Sequence, residues 1–299
     1  MNGGVMSYVL NGERGLFLQA RQARRVPNAF LATGILFLVL VPAFGIVSIA
    51  AVILAGGDEG AADRLFDTPY GLTVPFALLV VFLALWVALY EKRSPLTMGL
   101  APKGFAPKLL GGMAVALIMT SCTVGVMALF GCVSIETGAG RLQGGPALGS
   151  ALLMLAVFLV QAGSEEILLR GWYLPVLGAR YRPWIGILIS SVVFAGMHAP
   201  TRPVAILNLL LFGVFTAVYC LREGSVWGVC GWHAVWNWAD GNLFGLKVSG
   251  HEMSGGTLLN LKETGPSVVS GGDYGPEGSL LRTIVLLAGI ALVLTRRRN

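Results

Sequence analysis

The chain has 299 residues, of which 55% are hydrophobic and only 12% charged, against about 25% charged in an ordinary soluble domain. A water-soluble globule cannot cover that much apolar surface, so lipid is the solvent the composition fits. The formal net charge of +6 does not point to nucleic acid, because Lys and Arg fall in short clusters between apolar runs, the pattern of membrane-orientation signals.

Residues 1–28 carry Leu16, Phe17 and Leu18 ahead of Arg21, Arg24 and Arg25. They are expected to form either a basic cytoplasmic arm or a helix lying at the membrane surface. Eight apolar segments follow, at 29–55, 70–90, 109–130, 148–177, 184–198, 205–221, 226–244 and 280–294. A run of about 20 apolar residues crosses the hydrocarbon as a helix, so the predicted fold class is all-α, a polytopic transmembrane helical bundle of about eight spans. The first segment is too long for a signal-peptide core and is expected to be retained.

The expected organisation is the N-terminal arm (1–28), the first three spans (29–147), a core of four spans (148–244), a polar Gly-rich loop containing GGDYGPEGS (245–279), and a last span with a basic tail (280–299). Placing both termini in the cytoplasm puts 14 basic residues on inner segments, among them Arg14, Lys92, Arg93, Arg222 and Arg296 to Arg298. Six fall on outer ones, Arg64, Arg141, Arg202, Lys247, Lys262 and Arg282, beside the acidic Asp58, Glu59, Asp63 and Asp67. That bias predicts the orientation. The cysteines, Cys122, Cys132, Cys220 and Cys230, show no metal-ligand or redox spacing and read as small buried hydrophobes. The tryptophans Trp172, Trp184, Trp227, Trp232, Trp236 and Trp238 suit interface belts and packing.

An ionisable group within a span costs about 2.5–3.5 kcal/mol on insertion scales and marks function by default. The fourth segment holds QAGSEEILLRGWYLPVL with Glu165, Glu166 and Arg170, the fifth ends at His198, and the seventh holds VCGWHAVWNWADGN with His233, Asn237 and Asp240. Helix geometry sorts them. Glu166 and Arg170, four apart, form a self-neutralising pair, whereas Glu165, turned about 100° away, has no local cation. His233 and Asn237 project side by side, and Phe194 packs one turn from His198. Counting about 1.5 Å per residue from the presumed inner ends brings Glu165, His198, His233 and Asn237 together near mid-membrane. Asp240 is expected either to face the cavity or, the preferred reading, simply to end its helix, and His251 to be solvated.

Three motifs in order, E-E-x-x-x-R at Glu165 to Arg170, F-x-x-x-H at Phe194 to His198 and H-x-x-x-N at His233 to Asn237, resemble those of the CAAX prenyl protease and bacteriocin-processing (CPBP, Abi) family of intramembrane proteases, which includes the type II CAAX prenyl endopeptidases. The resemblance runs from about residue 148 to 244. It implies an intramembrane endopeptidase in which Glu165 acts as base, His198 helps to activate a water, and His233 and Asn237 stabilise the oxyanion. Glu166, Arg170 and Phe194 would support them. The implied partners are a peptide or protein substrate, prenylated or membrane-associated, and the lipid bilayer, with no nucleic acid; the implied location is a bacterial cell membrane.

Zinc stays open at this level: Glu165, His198 and His233 are ligand types that hold it, yet H-E-x-x-H is absent and Asn237 is a poor zinc ligand. Two other classes compete. A transporter or proton relay also buries Glu, His and Arg, but the paired repeats of many transporters are not visible. A non-catalytic immunity or scaffold protein of the same fold would be expected to lack a motif residue.

Overall fold

A computed structural model of the chain describes residues 9–10, 12, 15–58, 60, 64, 68–136 and 140–295. Of the charges counted above, Arg14, Glu59, Asp63, Asp67 and Arg296 to Arg298 lie outside the described residues.

All eight apolar segments are helical. After the short α1 (Gly15–Ala20) come α2 (Ala29–Leu54), α3 (Pro69–Leu89) and α4 (Phe105–Leu129). A strand, β1 (Val133–Ile135), leads to α5 (Leu148–Glu166), which passes through a π-helical segment, Ile167–Tyr173, into α6 (Leu174–Arg180). Then follow α7 (Pro183–Met197), α8 (Pro203–Glu223) and α9 (Trp227–Trp238), the last ending in a second π segment, Ala239–Phe244. The loop after it holds β2 (Leu261–Glu263) and the single turn α10 (Ser267–Ser270), and α11 (Leu280–Thr295) closes the described chain. Among the described residues, five helices are long and apolar enough to cross a membrane: Ala29–Leu54, Pro69–Leu89, Phe105–Leu129, Gly145–Arg180 and Pro203–Glu223. The protein is an all-α polytopic membrane bundle.

Two of the helices, α2 and α3, begin where a side chain supplies a partner for a free N–H group. The Asn28 side chain accepts from Leu31 N at 2.8 Å, and Thr68 accepts from Gly71 N at 3.1 Å; each such cap is worth about 1 kcal/mol. Pro183 and Pro203 open α7 and α8, where a missing N–H costs nothing.

α9 lies in the middle, packed on α4 and α5; α8 packs on α7 and α11, and α3 joins α2 to α5. Glycines let α4 and α9 touch backbone to backbone, the usual way to gain dispersion contacts in lipid. A Cβ at Gly112 would sit 1.8 Å from Gly228 O, and one at Gly231 would sit 2.3 Å from Leu109 O.

Several expectations change. Leu16 and Phe17 of α1 are buried, with Phe17 packed against the backbone at Gly178, so this face enters the protein rather than the bilayer; Leu18 stays exposed. Trp172, Trp232 and Trp236 are fully buried, Trp227 and Trp238 are half-buried, and Trp184 is exposed, as an interface belt requires. Cys132, Cys220 and Cys230 are buried as expected, but Cys122 is exposed. The 245–279 loop is pinned to the bundle. β2 pairs antiparallel with β1, Arg141 donates to the carbonyls of Gly255 at 3.0 Å and Met253 at 2.8 Å, and Asn208 donates to Glu277 O at 2.7 Å.

Candidate active site

Glu165 stands one residue before the end of α5, where the straight helix gives way to the π segment. The residue is 7% exposed. One oxygen accepts from Gln161 Nε2 at 2.6 Å, and the other, Oε2, is buried with no hydrogen bond among the described residues. Gln161 Oε1 in turn accepts from Asn237 Nδ2 at 3.5 Å. One amide therefore links the acid of α5 to the asparagine of α9, all its dipoles running the same way, and the second N–H of Asn237 is left over.

Glu166 and Arg170 do pair, at 3.4 Å, but the pair is not self-contained. The same Glu166 oxygen accepts from His233 Nδ1 at 2.9 Å, Arg170 also donates to Gly213 O at 3.4 Å, and its guanidinium lies 4.6 Å from the Phe194 ring centroid. An α-helix alone would keep Arg170 on the Glu166 face. The π segment Ile167–Tyr173 widens the turn that carries Arg170, and such bulges recur at functional sites. Glu166 thus reaches the catalytic candidates directly through His233.

Phe194 gathers the aromatic side of the site. Its ring centroid is 4.5 Å from that of His198, 5.9 Å from that of His233 and 4.7 Å from that of Phe212, on which it stacks. Phe212 meets His233 edge-on at 4.7 Å. His198 caps α7, half-buried, its Nδ1 2.8 Å from Phe194 O. A carbonyl only accepts, and Glu166 is a carboxylate beside Arg170, so both imidazoles donate from Nδ1. In the neutral ring that leaves a lone pair on Nε2 of each.

The structure thus joins Glu165 to Asn237 through Gln161, and His198 to His233 through Phe194. No hydrogen bond links Glu165 to either histidine among the described residues. Nor does any group of three His, Cys, Asp or Glu side chains there converge closely enough to hold a metal. Glu165 hydrogen-bonds the Gln161 amide, and both histidine rings lie against the Phe194 ring.

Asp240 is also corrected. It does not merely end a helix, because the helical backbone continues to Phe244. Asp240 is 0% exposed and accepts two hydrogen bonds from Arg282 of α11, itself 0% exposed. Arg282, counted above as an orientation signal, is thus an internal cation, 4.0 Å from the Trp236 ring centroid. Trp236 Nε1 donates to Glu277 at 2.8 Å, and Glu277 accepts from Ser249 N and Oγ at 2.9 and 2.6 Å. The GPEGS run thereby holds the helix that carries His233 and Asn237. Beside His198, Arg202 pairs with Asp273 of the same loop at 3.0 Å.

Gln161 was within reach of sequence reasoning, being a polar residue four before Glu165 in an apolar run. The roles of Phe212, Trp236, Glu277 and Arg282 depend on tertiary contacts that local spacing does not carry.

Residues 147–239 match the family model described as Type II CAAX prenyl endopeptidase Rce1-like. That stretch takes in Glu165, Glu166, Arg170, Phe194, His198, His233 and Asn237, and bears out the resemblance seen in the motifs. No curated protein and no solved structure matches the chain. With the long apolar helices, the match describes an integral membrane protein carrying an endopeptidase-like segment.

Proposed function

We propose that the protein is an intramembrane endopeptidase that hydrolyses a peptide bond with a water activated at Glu165. The observation that carries this reading is the buried Glu165 Oε2, which has no hydrogen-bond partner among the described residues. An orphaned buried carboxylate oxygen costs free energy, and a catalytic role explains its retention.

In the proposed reaction Glu165 Oε2 takes a proton from the water, and His198 Nε2 accepts a hydrogen bond that orients it. The hydroxyl oxygen bonds to the scissile carbonyl carbon, and the carbonyl becomes an oxyanion facing the spare N–H of Asn237. His233 donates there from Nε2 only as the doubly protonated ring, with Glu166 as counter-charge. Collapse breaks the C–N bond, and Glu165 returns its proton to the leaving amine.

The substrate class that fits is a membrane-associated peptide or protein, processed either at a CAAX-type C-terminus or as a bacteriocin-like peptide. The basic clusters support an orientation with both termini cytoplasmic, and the resemblance in the motifs implies a bacterial cell membrane. The test compares peptides in membranes carrying wild-type or Glu165→Ala protein. Fragments produced only by the wild type are expected. Identical peptide sets, together with proton or solute flux in wild-type liposomes that the variant lacks, would replace this reading with a transporter.

A further inference from the structure

Away from the active site, α2 and α3 enclose an apolar cavity of about 370 Å³ lined by Leu38, Val39 and Pro42 on one side and Leu85, Trp86 and Tyr90 on the other. Leu38, Leu85 and Tyr90 are exposed, so the cavity opens sideways. Its wall is stiff. Trp86 stacks on Tyr90 with centroids 4.1 Å apart, and its Nε1 is held by Glu91 at 3.2 Å. Tyr90 follows the last residue of α3 and Phe82, also lining the cavity, lies eight residues further in. That is about 12 Å at 1.5 Å per residue, most of one leaflet's half of a hydrocarbon core about 30 Å thick.

At the Tyr90 end the charge is one-sided. Arg24 N donates to Glu91 O at 2.8 Å, which brings the exposed Arg21, Arg24 and Arg25 segment to the end of α3, where exposed Lys92 follows. None of these four cations forms an ion pair among the described residues. The adjacent carboxylate, Glu91, is fully buried and already committed to Arg93, Trp86 and Trp172.

An aromatic-walled groove of acyl depth, open to the bilayer and ending at several unpaired cations, is complementary to one kind of molecule. We propose that this groove binds a single anionic phospholipid, its chain between α2 and α3 and its phosphate at Arg24, Arg25 and Lys92. Basic pockets between membrane helices select such headgroups. A zwitterionic lipid would fill the groove equally well and gain less from the cations.

The test uses the full-length protein in phosphatidylcholine nanodiscs. These are doped with brominated-chain phosphatidylglycerol or, at the same mole fraction, brominated-chain phosphatidylcholine. Quenching of Trp86 is read as the difference between wild type and Trp86→Phe. The anionic lipid is expected to quench Trp86 several-fold more strongly. Arg24→Gln/Arg25→Gln/Lys92→Gln should bring the two lipids level, and Leu38→Phe/Leu85→Phe, which fills an exposed groove, should remove quenching by both. Equal quenching in the wild type overturns the proposal, as does a preference that survives loss of the cations or filling of the groove. Displacement of the lipid by a prenylated peptide, with a matching unprenylated peptide inert, would also overturn it and assign the groove to substrate.

Discussion

Arg282→Met removes the cation that Asp240 faces in the bundle interior. Both side chains are 0% exposed, Arg282 makes two hydrogen bonds to the carboxylate, and it lies 4.0 Å from the Trp236 ring centroid. Breaking one partner of a buried pair costs about 3–5 kcal/mol, because the other charge is left without compensation. The same change removes the cation–π attraction to Trp236, worth about 2 kcal/mol where the cation is desolvated, which places Arg282→Met toward the upper end of that range. Asp240→Asn strands the arginine and should cost a similar amount. The double variant leaves no unpaired charge and should cost much less than the sum. Unfolding by dodecyl sulfate in mixed micelles measures all three. Single-variant costs below about 1 kcal/mol, or costs that add within about 0.5 kcal/mol, would refute the reasoning that these charges are coupled and buried.

Other outcomes follow from the same geometry. Gly112→Ala should destabilise by about 1–3 kcal/mol through overpacking, since its Cβ would meet Gly228 O at 1.8 Å, while Gly111→Ala, with nothing within 4 Å, should be neutral in the same assay. Gln161→Leu should lower the cleavage rate about 10²-fold by releasing Glu165 and Asn237 from their common bridge, with the unfolding midpoint in dodecyl sulfate showing that the fold survives. Burial raises the Glu263 carboxyl above its ordinary 4.5, with the Lys247 charge and N–H opposing. A raised folded-state value means stability fully present below about pH 4.5 and lost as pH rises through the folded value, so amide protection in residues 245–279, corrected for intrinsic rates, should fall over that window in the wild type and stay level in Glu263→Gln. Dialysis against a chelator should leave cleavage unchanged; inactivation reversed by added zinc would contradict the donor placement.

Much of the fold is legible because lipid imposes one rule on every span: apolar length must match hydrocarbon thickness. The shorter runs 184–198 and 280–294 fall below that length and still correspond to helices α7 and α11. The π segments at 167–173 and 239–244 are not legible, since nothing in ILLRGWY or ADGNLF departs from α-helical spacing, and they are what change the surroundings of Arg170 and Asp240. In the candidate site, the i, i+4 rule finds the Glu166–Arg170 pair but misses that Glu166 also holds His233, a contact between helices 67 residues apart. The charge count has the same blind spot: Arg282 reads as a loop cation because its partner, Asp240, is 42 residues away. The GPEGS run carries no readable chemistry until Trp236 is seen to donate to Glu277.

Water activation at Glu165 is tested most directly by hydrolysis with purified Glu165→Gln protein. The amide keeps the size of the side chain and an acceptor for Gln161, so the unfolding midpoint should match the wild type while cleavage of a membrane-anchored peptide falls to background. Cleavage by this variant at anything near the wild-type rate would contradict the account.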